Sequence, residues 1–474
     1  IARLALTSRN IDLIEEQELA PSGKIKYQFS SRGHELAQVL LGSKLTHPKD
    51  GATVYYRSRP FMIAVGLTPK EIFAAGMAKV GSPTEGRDVG VMYALPPRNG
   101  PTVLPASGAV GAQYTPAAGW AQAIRYYREE LKDKSYDGAI AVTLGGDGSV
   151  AANGFWAALT IATTQNLPML FSIEDNGYGI SVPKYFQTPG GDITENLASF
   201  KNLKIFSGSG IDPIECDQLT QAAVDYVRAG KGPALLRLDV PRLTGHTFGE
   251  DQSAYKSQVL LNQEKSNDPV LKLKEFIDDD KAWDALDKEI QSELTAALAE
   301  AETHADPPSG SAPLHLFHGS DPLVPPSFDA PALNFSIPAI EDGPRINFSE
   351  AVRRTLDNEL EQNSKLLVFG EDVGPRGGVH RVTLDLQSKY GERRVFDTSL
   401  SEEGIMGRAA GLAFAGLRPV PEIQFRKYAD PAMEQINDIG WMRWRMAGKF
   451  EAPVIVRIPV GHSKKVGDPR HSVS

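Results

Sequence analysis

The apolar, β-rich run Ala139-Ile140-Ala141-Val142-Thr143-Leu144 passes directly into Gly145-Gly146-Asp147-Gly148-Ser149. Ligands of parallel α/β sheets sit beyond the carboxyl ends of strands, and glycines there let backbone N–H groups approach an anion closely. After Gly148 come 26 residues, which include the next β-rich run, Pro168 to Ile173, and then Asp175-Asn176-Gly177-Tyr178-Gly179. If the two runs are adjacent parallel strands, the Asp147 carboxylate, the Asn176 amide oxygen and a backbone carbonyl such as that of Tyr178 converge on one point. That hard oxygen set suits Mg²⁺, with a diphosphate completing it. Glycine-rich turns with an aspartate also arise for steric reasons alone, so the signal lies in the spacing of the two clusters.

The elements that must position these groups follow from periodicity. Pro233 to Leu238 is a third strand-like run, and Ala117 to Lys132, Asn153 to Thr164 and Leu219 to Ala229 read as helices between the runs. The alternation predicts a parallel sheet with helices on both faces. Val270 to Glu302 has apolar residues at helical spacing, with a break expected near Asp278 to Asp280. From Pro307 to Pro344, nine of the 33 prolines crowd together, which suits an extended linker. Beyond it Leu366 to Phe369 and Val420 to Phe425 read as strands, the second weakened by Pro421. Phe348 to Glu361, Glu402 to Ala415 and Pro431 to Met446 read as helices. The expected organisation is an α/β domain over residues 1–303, a proline-rich linker over 304–345 and a second α/β domain over 346–474.

Composition narrows the function. The chain has 474 residues, 41% apolar and 23% charged, enough for two or three folded domains. With 50 Lys and Arg against 59 Asp and Glu the net charge is -9, which argues against nucleic acid or an anionic membrane as a partner. No apolar stretch approaches the roughly 20 residues that span a bilayer. The lone Cys216, between Glu215 and Asp217, reads as an inert thiol in a reducing, cytoplasmic setting. The chain opens on Ile1, so its true N-terminus is expected to lie upstream.

The two polar clusters and a further series of motifs resemble the thiamine-dependent decarboxylating component of 2-oxoacid dehydrogenase complexes, with α-type and β-type subunits joined in one polypeptide. The α-like resemblance covers nearly all of residues 1–300: Gly33-His34-Glu35, Tyr55-Tyr56-Arg57, Gly86-Arg87, Gly108 to Gln113, the Gly-Asp-Gly and Asp-Asn pair, Gly245-His246 and Asp251 to Tyr255. The β-like resemblance covers residues 346–474, through Gly370-Glu371-Asp372-Val373, Leu400 to Gly404, Glu422 to Phe425 and His471-Ser472-Val473-Ser474. Asp175 stands where the family usually has Asn, Ala152 where it often has Glu or Gln, and Met92 where it often has His.

The resemblance implies thiamine diphosphate and Mg²⁺ as cofactors, with Asp147, Asn176 and Tyr178 on the metal. Gly146, Gly148, Ser149 and Ile180 would border the diphosphate end. Arg57 and His246 would meet the terminal phosphate, through a guanidinium fork and an imidazole donor. Tyr56 and Val110 would line the cofactor, although Val110 suits an ordinary core equally. Glu402, following Leu400, would exchange a proton with the cofactor's pyrimidine ring, since removal of the thiazolium C2 proton depends on that tautomer. A first-turn glutamate stabilised by the helix dipole is the plain alternative, and Glu403 is the structural neighbour. His246 and His471 are candidates for proton handling during acyl transfer, and Gln424 and Tyr428 would line the same site.

The implied activity is oxidative decarboxylation of a 2-oxo acid with reductive acylation of a lipoyl group on an acyltransferase core, by a homodimer. Tyr178-Gly179-Ile180-Ser181 and Asp251 to Tyr255 look closer to branched-chain enzymes, with pyruvate or acetoin as the alternative. A catalytically silent scaffold subunit is the competing class, and the retention of Glu402, His246 and His471 speaks against it. A nicotinamide oxidoreductase fails because Gly146-Asp147-Gly148 lacks the G-x-G-x-x-G spacing. Thr247 and Ser253 lie in a loop that is phosphorylated in some relatives, which the sequence leaves open. A complete β-like half would continue past Ser474, so the chain is expected to be part of a longer protein.

Overall fold

The alternation of strand-length and helical runs becomes two parallel sheets in the computed structural model of the chain, which describes residues 1–98, 100–316 and 344–460. Two compact units divide between Pro307 and Pro308. The division falls a few residues past the expected domain edge because the helix Asp280–Thr303 is followed by His304, whose ring meets the Val80 carbonyl at 2.8 Å.

The strands of the first unit are β1 (Gly51–Thr53), β2 (Thr102–Val103), β3 (Ala141–Gly146), β4 (Met169–Asp175), β5 (Tyr178–Gly179), β6 (Val182–Pro183), β7 (Lys204–Ser209) and β8 (Ala234–Asp239). Six of them form one sheet in the order β2-β1-β3-β4-β8-β7, every pairing parallel, while β5 and β6 form a separate antiparallel hairpin. β4 is buried at every position, as a central parallel strand covered on both sides must be. Helices Tyr114–Glu129 and Pro213–Arg228 pack directly on the sheet. Under the end of β3, the Tyr114 ring packs against Phe155 and Phe171 with centroids 5.4 and 6.2 Å away. Burying each such ring contributes about 2 to 3 kcal/mol and stiffens the turn above it.

The helical break expected near Asp278 lies where Asp278 adopts a left-handed conformation and Asp279 caps the next helix by accepting from Ala282 N at 2.9 Å. Cys216 is fully buried, and burial pushes its thiol up to about 12, in keeping with an inert group.

The second unit carries β9 (Leu366–Gly370), β10 (Val395–Asp397) and β11 (Arg418–Glu422) in the order β10-β9-β11, all parallel. β11 begins and ends earlier than periodicity predicts and accommodates two prolines. The carbonyls of Pro419 and Pro421 accept from Ile455 N and Arg457 N at 3.1 and 2.9 Å, so their missing N–H groups face a neighbour that needs only acceptors. Leu356, Leu360, Leu366, Val368, Val395 and Val420 close a small core under this sheet. Pro431 falls in a 3₁₀ turn, and the regular helix starts only at Met433, because proline cannot donate within a helix interior.

Candidate functional site

β3 and β4 run side by side, with Gly146 paired to Glu174, so Asp147 and the segment from Asp175 emerge next to one another. Two glycines here answer a packing demand. A Cβ on Gly145 would lie 2.0 Å from the Tyr114 hydroxyl, and one on Gly148 would lie 3.1 Å from the Cα of Gly179 in the hairpin. Ser149 fixes the turn by donating to the Gly146 carbonyl at 2.5 Å, with its oxygen also 2.5 Å from the Tyr114 hydroxyl.

Asp147 is 5% exposed. Its Oδ1 accepts from Asn176 N at 3.3 Å, and its Oδ2 has no hydrogen-bond partner. Burial, with Asp175 adding negative charge nearby, raises its carboxyl to about 7. Asn176 Oδ1 accepts from Tyr178 N at 3.1 Å, turning the chain into the β5–β6 hairpin. A buried carboxylate oxygen without a partner, next to an amide oxygen and a loop carbonyl, fits an oxygen-seeking cation. Among the described residues no cluster of three or more His, Cys, Asp or Glu could hold a metal. Oxygens beyond Asp147, the Asn176 amide and a loop carbonyl are what the expected diphosphate pairing would add.

Asp175, the departure from the usual Asn, has its own partners. Its Oδ2 accepts from Arg237 Nη2 at 2.6 Å, Arg237 Nε at 2.9 Å and Lys184 Nζ at 2.9 Å, so a β8 cation and a cation following the hairpin both converge on it. Asp175→Asn is expected to lower stability by about 3 kcal/mol, because it breaks a buried ion pair and leaves Arg237 with the half-exposed Asp239 and the more distant Asp192 as its carboxylates. The midpoint of urea unfolding measures it, and an unchanged midpoint would show that Arg237 is satisfied without Asp175.

Arg57 is 2% exposed and donates from Nη1 to the Ser30 carbonyl and from Nη2 to the His246 carbonyl, the latter at 3.3 Å. Its Nη2 also lies 3.5 Å from His246 Nδ1. The imidazole packs edge-on to Phe29 and Tyr56, with centroids 5.3 and 5.5 Å away. Burial, then the positive charges of Arg57 and Arg242, lower its pKa to about 4, so it is neutral near pH 7. Arg242 is almost fully buried, donating to the Ile180 carbonyl at 2.8 Å and the Tyr255 hydroxyl at 2.6 Å, while its Nε has no hydrogen-bond partner.

One cleft with about 820 Å³ of empty space joins these groups. Eleven residues expected at the site line it: Tyr56, Arg57, Val110, Gly146, Asp147, Gly148, Ser149, Asn176, Tyr178, Ile180 and His246. Val110 is 52% exposed, which removes the alternative of an ordinary core valine. Met92, where the family often has histidine, also lines the cleft. Sequence reading missed Arg242. Its signal was available in its place just beyond the carboxyl end of β8, where sheet ligands gather.

The other expected residues belong to the second unit. Glu402 is the first residue of the helix Glu402–Phe414, whose cap is Ser401 Oγ accepting from Gly404 N at 3.1 Å. Glu371, at the end of β9, is buried and its carboxyl is raised by burial and then by the charge of Glu402. Leu400 is 83% exposed just before this turn. Gln424 follows β11, and the Tyr428 ring packs edge-on to Phe425 at 5.7 Å. His471 lies outside the described residues.

A parallel sheet whose strand ends bring a buried carboxylate and two buried guanidiniums to one cleft is the arrangement of an α/β protein that can hold a cation and an anion side by side. Comparison with known proteins agrees. Residues 2–310 match the family described as dehydrogenase E1 component, and residues 345–473 match the transketolase pyrimidine binding domain. The chain belongs to the dehydrogenase E1 component family and carries an α-type and a β-type region in one polypeptide. It is 28% identical over 293 residues to the 2-oxoisovalerate dehydrogenase subunit alpha of Bacillus subtilis, covering 62% of this chain and 86% of that protein. Over 113 residues it is 50% identical to the 2-oxoisovalerate dehydrogenase subunit beta of Pseudomonas aeruginosa, covering 24% of this chain and 32% of the relative. Over 117 residues it is 44% identical to the pyruvate dehydrogenase E1 component subunit beta of Acholeplasma laidlawii, covering 24% and 36%. The chain thus spans about a third of the β-type relatives it matches. No helix among the described residues is long and apolar enough to cross a membrane.

Proposed function

We propose that the chain binds thiamine diphosphate with Mg²⁺ in the first unit's cleft and serves the oxidative decarboxylation of a branched-chain 2-oxo acid. The acyl group passes to a lipoyl disulfide on an acyltransferase partner. The reading takes the working protein as a cytoplasmic homodimer. The observation that carries it is the buried Asp147 Oδ2 without a partner, lining one cleft with the buried guanidiniums of Arg57 and Arg242.

Bound thiamine diphosphate supplies the carbon nucleophile and electron sink that cleavage beside a ketone requires. The remaining work falls to the chain. Asp147, Asn176 and the Tyr178 carbonyl would hold the cation, and Arg57 would hold the terminal phosphate. Tyr56, Val110 and Ile180 form the apolar part of the wall and limit water around the reacting centre. His246, kept neutral, has a ring nitrogen free to accept a proton, and an anion seated against Arg57 and Arg242 raises its pKa toward the working range. Glu402 would be the carboxyl that exchanges a proton with the cofactor's pyrimidine ring, and Leu400, Gln424, Tyr428 and His471 belong to the same reading. Overall, the bond between the keto carbon and the carboxylate breaks with release of CO₂. The disulfide takes up the electron pair, one sulfur becoming the thioester and the other a thiol.

Steady-state turnover of the protein with a panel of oxo acids and an artificial electron acceptor tests the substrate. The expected result is a kcat/KM for 2-oxoisovalerate at least about 10-fold above that for pyruvate, the size of discrimination a difference of two methyl groups gives in an apolar pocket. Equal use of both would overturn the branched-chain reading. A preference for pyruvate would favour the second reading, which the similarity to pyruvate dehydrogenase β subunits supports.

A further inference from the structure

Behind Asn176 lies a fully buried polar network that the reaction chemistry above does not use. Glu174, the last-but-one residue of β4, is 1% exposed, and its Oε2 meets three groups: His34 Nδ1 at 2.6 Å, Tyr55 hydroxyl at 2.7 Å and Gln38 Nε2 at 2.8 Å. His34 is 0% exposed, and its other nitrogen, Nε2, lies 3.4 Å from Asn176 Nδ2. We infer that His34 is a positioning residue for the metal end of the site, holding the Asn176 amide with its oxygen turned away from the ring and available to a cation. The inference rests on the cofactor reading and deepens it.

The geometry dictates the roles. Glu174 Oε2 already accepts from the Tyr55 hydroxyl and Gln38 Nε2, so its short contact with the ring places the imidazole proton on Nδ1. The neutral ring then offers a lone pair at Nε2, which accepts a hydrogen from Asn176 Nδ2. Only one end of an amide donates, so this contact decides which way the side chain faces. With Nδ2 committed to His34, Oδ1 faces Tyr178 N, to which it is bonded at 3.1 Å, and keeps a second lone pair for a cation. The backbone reinforces the arrangement, since Gln38 Nε2 also donates to the Arg57 carbonyl at 3.1 Å and so ties the network to the phosphate end of the same cleft. Groups that orient a metal ligand in this way are worth about 10- to 100-fold in metal affinity.

The two halves of the imidazole can be separated by substitution. Asparagine can reproduce the Nδ1 donor toward Glu174 but does not reach Asn176, whereas glutamine places an amide oxygen near the Nε2 position. The probe is Mn²⁺, titrated into the full chain with excess thiamine diphosphate and followed by the electron paramagnetic resonance of the free ion. His34→Asn is expected to weaken Mn²⁺ by about 10-fold or more, while His34→Gln stays within about 3-fold of the parent. In an Asn176→Ala background His34→Asn should add nothing, because the partner it acts through is gone. Should His34→Asn not fold, Glu174→Gln carries the test: it frees the ring proton to shift to Nε2 and is expected to weaken Mn²⁺ to a similar extent. Parental affinity in both His34→Asn and Glu174→Gln, equal loss in His34→Asn and His34→Gln, or an additive effect on top of Asn176→Ala would each overturn the inference. A parent chain that binds neither Mn²⁺ nor thiamine diphosphate would overturn the cofactor reading itself, and this inference with it.

Discussion

An Asp147→Asn chain is expected to lose at least about 100-fold in Mg²⁺ affinity in the presence of thiamine diphosphate, as read by isothermal titration. The amide keeps the volume and can still accept from Asn176 N. What it removes is the charge and the free oxygen, and it points N–H donors where the cation should sit. Outer-shell changes alone cost about 10- to 100-fold, so loss of a direct carboxylate ligand belongs above that range. The raised carboxyl adds a pH signature. Its pKa of about 7 in the fold lies above the ordinary value of 3.8, so the folded chain holds this proton more tightly than the unfolded one. Stability from this group is complete below about pH 4 and is lost as pH rises to about 7, by about 1.4 kcal/mol per pH unit in the unliganded protein. Asp147→Asn removes that loss, so the cofactor-free variant should unfold at higher urea than the parent at pH 8. Cation binding runs the other way, because it needs the ionised form: parental Mg²⁺ affinity should fall about tenfold per unit below pH 7. A variant that binds Mg²⁺ as tightly as the parent would exclude Asp147 as the ligand, and a parental affinity flat between pH 6 and 8 would show that its carboxyl is ionised throughout that range.

Much of this site was legible because strand ends obey a simple geometry. The run ending at Leu144 and the run ending at Ile173 had to be parallel neighbours for Asp147 and Asn176 to meet, and the register of Gly146 with Glu174 delivers that meeting. The break at Asp278 was legible because a helix crossing three consecutive aspartates gains nothing that a cap does not give better. Other features depend on contacts that periodicity does not carry. β1 and β2, of three and two residues, are too short to leave an alternating pattern, and they exist because Gly51 to Thr53 docks beside β3. The place of Arg242 just past β8 marks it as near the site, but its burial in the cleft depends on the hairpin, whose Ile180 carbonyl accepts from it. The Glu174 network was hidden for the same reason: its four members come from three segments, the helix start that carries His34 and Gln38, the loop at Tyr55 and the end of β4. The substitution of Asp175 for Asn became intelligible once Arg237 and Lys184 were seen to neutralise it.

At Glu402 the expected effect is on chemistry instead of binding. Glu402→Gln should slow hydrogen–deuterium exchange at C2 of bound thiamine diphosphate by about 10² to 10⁴-fold, the range that a positioned acid–base group supplies. Glutamine preserves shape and can hydrogen-bond, but it cannot exchange a proton with a ring nitrogen. Ser401, not Glu402, caps the helix through Gly404 N, and among the described residues the Glu402 carboxylate accepts no hydrogen bond. The buried Glu371 is held upward first by burial and then by the charge of Glu402, so removing that charge should also let Glu371 ionise at lower pH. Thiamine diphosphate affinity should stay within about 3-fold of the parent, because the proposed reading gives the holding to Asp147 and Arg57 and confines the loss to proton transfer. Glu403 provides the control one residue along. Its carboxyl is raised by burial and by Glu434, and it points to a different side of the helix, about 100° around the axis. Glu403→Gln should therefore leave exchange close to parental. Exchange lost in Glu403→Gln and kept in Glu402→Gln would reverse the assignment of the two carboxylates. Exchange kept in both would leave the helix dipole as the sole reason for acidic residues in this first turn.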